Sequence, residues 1–347
     1  MSEQPQSADE NPEQRNAGGP VFTAADAAHE QAESPELPVP FETRAMNWVL
    51  FGRDGLRAGW SIALFLTAFF LFLSVGEFLD ILISGHGVEA QVAELAHGLS
   101  ASALLAQEGI SVFGLAGALL AMALVEKRRL GEYNLADKRL LRHLGAGAAG
   151  GFLALTVLLA GLWAGGWIGF GPRALAGISV LGNALAWGAG FLLVALFEEG
   201  MFRCYLLRTL HRGFGGGDGG WWAAALASSA AFGAIHWSNR GEGWIGVGAA
   251  AGIGVVFCCS VRWTGSAWWA IGFHAGWDWA QTFFYGTPDS GVVPKGHWLS
   301  TQPVGNLLWS GGATGPEGSL AILPLLVLVL ILLFLSYGRR GCRDSAF

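Results

Sequence analysis

Eight apolar runs dominate this chain, and most are long enough to cross the roughly 30 Å hydrocarbon core of a bilayer as helices. They cover residues 59–82, 102–125, 145–168, 178–210, 221–237, 244–261, 267–285 and 320–337. The fourth run is too long for one straight span and is expected to extend beyond the bilayer or to break. Because backbone groups in lipid must be satisfied within the segment, the pattern predicts an all-α, polytopic membrane protein with about eight transmembrane helices.

The composition agrees with a membrane-embedded bundle. Only 13% of the residues are charged, whereas a soluble domain carries about 25%. Many of the 53 glycines lie in the apolar runs, where small residues let helices approach closely.

The Lys and Arg residues predict the orientation of the helices. With a cytoplasmic N-terminus, only Arg173, Arg240 and Lys295 of the 20 basic residues fall outside, as the positive-inside rule requires. We therefore expect an integral protein of the cell (plasma or inner) membrane with both termini in the cytoplasm.

Composition divides the chain into four parts. Residues 1–43 form an acidic tail that is expected to be disordered, and residues 44–143 hold the first two spans and a basic cytoplasmic loop. Residues 144–338 form the core, and residues 339–347 form a basic cytoplasmic C-terminus.

Five ionisable side chains interrupt the apolar runs: Glu198, Glu199, His236, His274 and Asp278. Charged groups inside a membrane are costly, face the protein interior and mark function by default. At 1.5 Å per helical residue they reach similar depths from three helices, roughly 13 to 22 Å from the cytoplasmic ends. The pattern predicts one active site inside the bundle.

The spacing of these residues indicates which of them share a helix face. Glu199 and Arg203 are four residues apart and are expected to pair, which offsets the cost of burying either one. Glu198 is rotated about 100° from Glu199 and is free of the arginine. His274 and Asp278 are also four apart and can converge on one atom.

Other acidic residues in the apolar runs receive a simpler interpretation. Glu77, Asp80 and Glu108 lie near predicted span ends and are expected to be in contact with water. A non-enzymatic protein is the alternative for the buried cluster itself. A proton-coupled transporter, or a membrane scaffold or immunity protein, could use the same buried Glu and His side chains.

Three motifs in order resemble those of one known family: Glu198-Glu199-Gly-Met-Phe-Arg203 fits EExxxR, Phe232-Gly-Ala-Ile-His236 fits FxxxH, and His274-Ala-Gly-Trp-Asp278 fits HxxxN/D. They resemble the CPBP family (CAAX proteases and bacteriocin-processing enzymes, or Abi proteins), which consists of intramembrane proteases. The resemblance covers roughly residues 144–337. It implies an endopeptidase whose partners are the lipid bilayer and a peptide or membrane-protein substrate, with no nucleic acid.

The resemblance also implies roles for the motif residues. Glu198 and His236 would activate the attacking water, and Glu199 with Arg203 would form an orienting pair. His274 and Asp278 would stabilise the oxyanion or hold the catalytic centre. Many prenyl-peptidase members have Asn where this chain has Asp278, and an anion is a poor oxyanion donor. Asp278 therefore has the alternatives of orienting His274 or binding a cation.

A divalent metal is the one cofactor that the motifs suggest. Glu198, His236, His274 and Asp278 are acceptable zinc ligands, although the chain has no HExxH pair and the family has also been described as glutamate-dependent without an essential metal. We favour metal-assisted hydrolysis by one zinc ion.

Overall fold

The computed structural model describes residues 48–52, 55–85, 98–239, 243–289 and 294–338. The predicted N-terminal tail and basic C-terminus lie outside these residues. Within them the chain is mainly helical, which confirms the all-α prediction. The α-helices are α1 Ala58–Ser84, α2 Ala101–Val125, α3 Leu140–Ala164, α4 Ser179–Glu199, α5 Leu207–Gly213, α6 Gly217–His236, α7 Trp244–Thr264, α8 Trp268–Asp278, α9 Leu307–Ser310 and α10 Ile322–Leu333.

Short elements connect or extend these helices. Two-residue strands β1 (Phe51–Gly52) and β2 (Gly55–Leu56) form one antiparallel hairpin, and β3 (Ile168–Phe170) pairs antiparallel with β4 (Thr301–Pro303). The 3-10 turns are Leu130–Glu132 and Pro316–Gly318, and the π-helical segments are Gly200–Leu206, Trp279–Phe284 and Phe334–Gly338.

All eight predicted spans coincide with helices. Among the described residues, five helices are long and apolar enough to cross a membrane: Ala58–Ser84, Ala101–Val125, Leu140–Ala164, Ser179–Gly213 and Trp244–Thr264. The other three runs fall on α6, on α8 with its π-helical continuation, and on the shorter apolar helix Ile322–Gly338. The number of spans in the bilayer therefore stays a prediction.

The fourth run forms one long helical element with an irregular middle. Ser179–Gly213 spans 35 residues, and the π-helical segment Gly200–Leu206 lies between α4 and α5. Side chains from other elements bind carbonyls of this segment: Asn134 Nδ2 donates to the Arg203 carbonyl at 2.7 Å, and Ser228 Oγ donates to the Phe202 carbonyl at 3.1 Å. π-Helical turns inside α-helices are frequent at functional sites.

Glycines bring α3 and α8 into backbone contact. A Cβ atom added at Gly147 or Gly151 of α3 would overlap a carbonyl oxygen of α8, and one added at Gly272 or Gly276 would overlap a carbonyl oxygen of α3. The two pairs have the small-xxx-small spacing that permits close helix packing in membranes. This contact fixes the part of α8 that carries His274.

The third run ends earlier than the apolar pattern predicts. α3 stops at Ala164, and Gly166 has a φ of 76°, a left-handed conformation that glycine adopts without steric cost. Ile168, the predicted last residue of the span, lies instead in β3 and pairs with Pro303. The prediction is wrong here because apolar residues continue beyond the turn.

A buried carboxylate ties the start of α3 to the turn before α8. Asp137 Oδ2 accepts a hydrogen bond from Ser266 Oγ and lies 2.6 Å from His143 Nδ1, and its Oδ1 accepts from the Arg139 amide at 2.7 Å. Burial opposes ionisation, but the hydrogen bonds from Ser266 and Arg139 outweigh it and hold the pKa of Asp137 below its ordinary value.

We predict that Gly151→Ala destabilises the protein by about 1 to 3 kcal/mol, because the added methyl group forces α3 and α8 apart. The matched control is Gly161→Ala on the same helix, where an added Cβ meets no described atom within 4 Å. The unfolding midpoint of the detergent-solubilised protein should fall for Gly151→Ala and stay equal or rise for the control. Equal midpoints for the two variants would contradict the close contact.

Candidate active site

Glu199 and Arg203 are the most buried charged groups of the predicted site. The Glu199 side chain is fully buried near the end of α4, and Arg203, which is also fully buried, lies one turn later in the π-helical segment. Arg203 Nη1 donates to Glu199 Oε1 at 3.2 Å, and Nε lies 3.1 Å from Oε2. The predicted pairing is confirmed, and it compensates two charges that would be very costly alone.

Aromatic rings enclose the Arg203 guanidinium. Its Cζ lies 4.1 Å from the centre of the Phe232 ring and 5.2 Å from that of Phe257. A desolvated cation is attracted to the face of such rings. The same Phe232 ring lies 4.7 Å from the ring of His236. Phe232 therefore contacts both the arginine and the FxxxH histidine.

His274 joins Glu199 to the other acidic residues. Its Nδ1 lies 3.0 Å from Glu199 Oε1, and because the ion-paired carboxylate accepts, Nδ1 carries the proton. Its Nε2 faces Asp278 Oδ2 at 3.4 Å and Glu198 Oε2 at 3.8 Å. The ring is thus oriented by Glu199 and presents its second nitrogen to two carboxylates.

Glu198 points away from the arginine, as the helical spacing predicts. Its Oε2 is buried and has no hydrogen-bond partner among the described residues, with His274 Nε2 at 3.8 Å. A buried carboxylate oxygen without a hydrogen-bond partner is a strong acceptor for a proton or for a water molecule.

The FxxxH motif fixes the tautomer of His236. Its Nδ1 lies 2.7 Å from the Phe232 carbonyl oxygen. Since a carbonyl only accepts, Nδ1 carries the proton in the neutral ring and Nε2 is the basic nitrogen.

One cavity of about 270 Å³ brings these side chains together. Glu198, His236, His274 and Asp278 all line it. Glu199 and Arg203 are fully buried behind the side chains that line the cavity. The predicted cluster is therefore assembled, while the catalytic role of each member stays a prediction.

Sequence reasoning missed several members of this cavity. Glu108 of α2 was expected at a wet span end, but it is only 8% exposed and lines the cavity; that expectation is wrong because α2 packs against α4. Asp289 and Glu317, from the long connection after α8, also line it. The sequence contains one indication that Glu108, Asp289 and Glu317 belong to the site: they are acidic residues next to apolar runs. The Glu199–His274 contact joins positions 75 residues apart, and helical spacing carries no information about it.

The arrangement of the predicted ligands tests whether a zinc ion fits this site. The donor types suit zinc, but no three His, Cys, Asp or Glu side chains of the described residues are arranged to hold a metal ion. The side chains as placed do not fit the predicted ion. We therefore derive no catalytic step from a metal, and metal dependence stays a prediction.

Comparison with known families adds an independent observation. Residues 181–280 match the family model described as Type II CAAX prenyl endopeptidase Rce1-like. This segment is similar to Rce1-like endopeptidases. This confirms the predicted relation to CAAX proteases for that segment, which contains all three motifs. No curated protein and no solved structure is significantly similar to the chain.

The long apolar helices, together with the similarity of residues 181–280 to CAAX endopeptidases, make the chain an integral membrane protein. Its matched segment runs from α4 to the π-helical turn after α8. Glu108, Asp289 and Glu317 lie outside that segment, although they line the same cavity.

We predict that Arg203→Ala destabilises the protein by about 3 to 5 kcal/mol, because it leaves Glu199 buried without its ion-pair partner. The control is Arg208→Ala, whose partly exposed side chain lies 3.6 Å from Glu132; it should cost about 1 kcal/mol or less. Folded yield and thermal midpoint in detergent measure both. A stable Arg203→Ala variant would show that the pair does not support the fold.

Proposed function

We propose that this protein is an intramembrane endopeptidase that hydrolyses a peptide bond of a membrane-associated protein or peptide. One observation carries the proposal. Within the cavity, the carboxylate oxygen Oε2 of Glu198 is buried without a hydrogen-bond partner among the described residues, and Glu198 shares this space with the basic histidine His236. These are the two groups that water activation needs.

Water activation begins at Glu198. A water molecule in the cavity transfers one proton to the Glu198 carboxylate and donates a hydrogen bond through its other hydrogen to His236 Nε2. The oxygen, polarised by both acceptors, then attacks the carbonyl carbon of the scissile bond. A positioned base of this kind accelerates a reaction by roughly 10² to 10⁴.

His274 stabilises the negative charge of the oxyanion. Its Nδ1–H is occupied by Glu199, so only the doubly protonated ring has an N–H at Nε2 to donate to an oxyanion. Asp278 and Glu198 face that nitrogen and stabilise positive charge there. Asp278 thus orients and supports His274, whereas its own carboxylate is not the oxyanion donor.

The last step returns the proton. Glu198, which holds the proton taken from water, passes it to the nitrogen of the leaving amine as the carbon–nitrogen bond breaks. The same side chain therefore serves first as general base and then as general acid. The site needs no covalent intermediate.

The proposed setting follows from the distribution of basic residues. With both termini in the cytoplasm of a plasma or inner membrane, the positive-inside rule is met. The substrate would be a peptide or membrane-protein segment reaching the cavity from the bilayer.

We predict that Glu198→Gln lowers cleavage of a membrane-associated peptide by roughly 10² to 10⁴, because the amide keeps the shape but accepts no proton. Purified protein in detergent, assayed with a fluorogenic peptide library, provides the measurement. Glu77→Gln on α1, which changes another glutamate in a membrane helix, is the control and should keep wild-type activity.

The same assay tests the partnership with His236. His236→Ala should lose a similar factor, and the double variant should be little worse than either single variant, because the two groups act as a unit. If the activity losses of the two single variants added up in the double variant, Glu198 and His236 would act independently.

Loss of activity with a chelator, restored by zinc, would establish metal dependence. Absence of any cleavage by wild type, with proton-coupled uptake in vesicles, would favour a transporter.

A further inference from the structure

Glu108 is a buried carboxylate that the proposed chemistry does not use. It lies on α2, is 8% exposed and lines the cavity. Its Oε2 is buried and has no hydrogen-bond partner among the described residues. A buried polar atom without a partner is costly, and because Glu108 lines the cavity, a ligand bound there is one source of that partner.

The packing of α2 against α4 places Glu108 close to Glu198. A Cβ atom added at Gly190 would meet Leu104, and one added at Gly200 would overlap Leu115, so the two helices run in the same direction at matching depth. Glu108, one turn after Leu104, therefore lies about one helical turn from the level of Glu198, roughly 6 Å along the axis. That distance is one to two residues of extended peptide.

The charge of the cavity indicates what would bind there. Five carboxylates line it: Glu108, Glu198, Asp278, Asp289 and Glu317. Among the described lining residues there are two histidines but no Lys or Arg. A cationic group entering this space gains a charge-assisted hydrogen bond to Glu108.

A second buried polar atom without a hydrogen-bond partner lies on the facing helix. Trp187 of α4 is fully buried and lines the cavity, and its Nε1 has no hydrogen-bond partner among the described residues. The indole N–H is only a donor. A peptide residue with a basic side chain offers both complements, since its backbone carbonyl accepts from Trp187 and its side chain donates to Glu108.

We propose that Glu108 and Trp187 form a substrate subsite that binds a Lys or Arg side chain within one or two positions of the scissile bond. The subsite rests on the proposed peptidase function. It lies partly outside the matched Rce1-like segment, and it gives this chain a specificity for basic substrates that the motif residues alone do not provide.

The test uses full-length protein in detergent and fluorogenic peptides in which one Lys moves through the two positions on either side of the scissile bond. A matched series replaces that Lys with norleucine, which keeps the length and removes the charge. At one position the wild type should cleave the Lys peptide roughly 10- to 100-fold better, measured as kcat/KM. Glu108→Gln should abolish that preference, so that this variant cleaves the Lys and norleucine peptides with equal kcat/KM.

Controls separate the subsite from general damage. Glu77→Gln should keep the full Lys preference, and Glu108→Asp, which retains the charge, should keep part of it. A wild type that cleaves Lys and norleucine peptides equally would overturn the subsite without reference to any variant. A Lys preference that survives in Glu108→Gln would also overturn it.

Failure of the proposed function is distinguished by a binding measurement. If the wild type cleaves no peptide, binding of the same labelled peptides to the Glu198→Gln protein, followed by fluorescence anisotropy, tests the subsite directly. Tighter binding of the Lys peptide supports the subsite, and equal or absent binding of the two peptides overturns it. Glu108-dependent binding of Mg²⁺ or Ca²⁺ without discrimination between the peptides would assign the carboxylate to an inorganic ion instead.

Discussion

The ion pair between Glu199 and Arg203 is the interaction on which the site depends. Both side chains are fully buried, and the Glu199 carboxylate also binds the His274 ring. One carboxylate therefore joins α4, the π-helical segment and α8, while Arg203 rests against Phe232 beside the FxxxH histidine. Removing Glu199 would leave Arg203 without an ion-pair partner in the interior, and removing Arg203 would leave Glu199 with only its contact to His274. Glu199 and Arg203 take part in no proposed chemical step. They position the motif residues that do.

Local periodicity predicts those features of the site that lie within one helix. The spacing of Glu199 and Arg203, and that of His274 and Asp278, predicted two contacts that the structure contains. The rotation between Glu198 and Glu199 likewise separated the paired carboxylate from the unpaired one. Apolar runs located every long helix, because hydrocarbon burial and helical hydrogen bonding act over the same twenty residues.

Features that depend on contacts between distant segments could not be predicted in this way. In the sequence, Glu108 is indistinguishable from a glutamate near a solvent-exposed helix end. It becomes part of the cavity only because α2 packs against α4. The end of α3 depends on a glycine turn and on a strand partner more than a hundred residues away. The long connection contributes Asp289 and Glu317 through its folded path, which composition does not encode.

The glycine contact between α3 and α8 has a consequence for how the gene tolerates change. Every missense substitution at Gly147, Gly151, Gly272 or Gly276 adds at least a Cβ atom, and each of those atoms would overlap backbone. A saturation mutagenesis map of this chain should therefore show four intolerant positions that line no part of the cavity. Judged by intolerance alone, these glycines would be indistinguishable from catalytic residues, although they determine only how closely two helices approach.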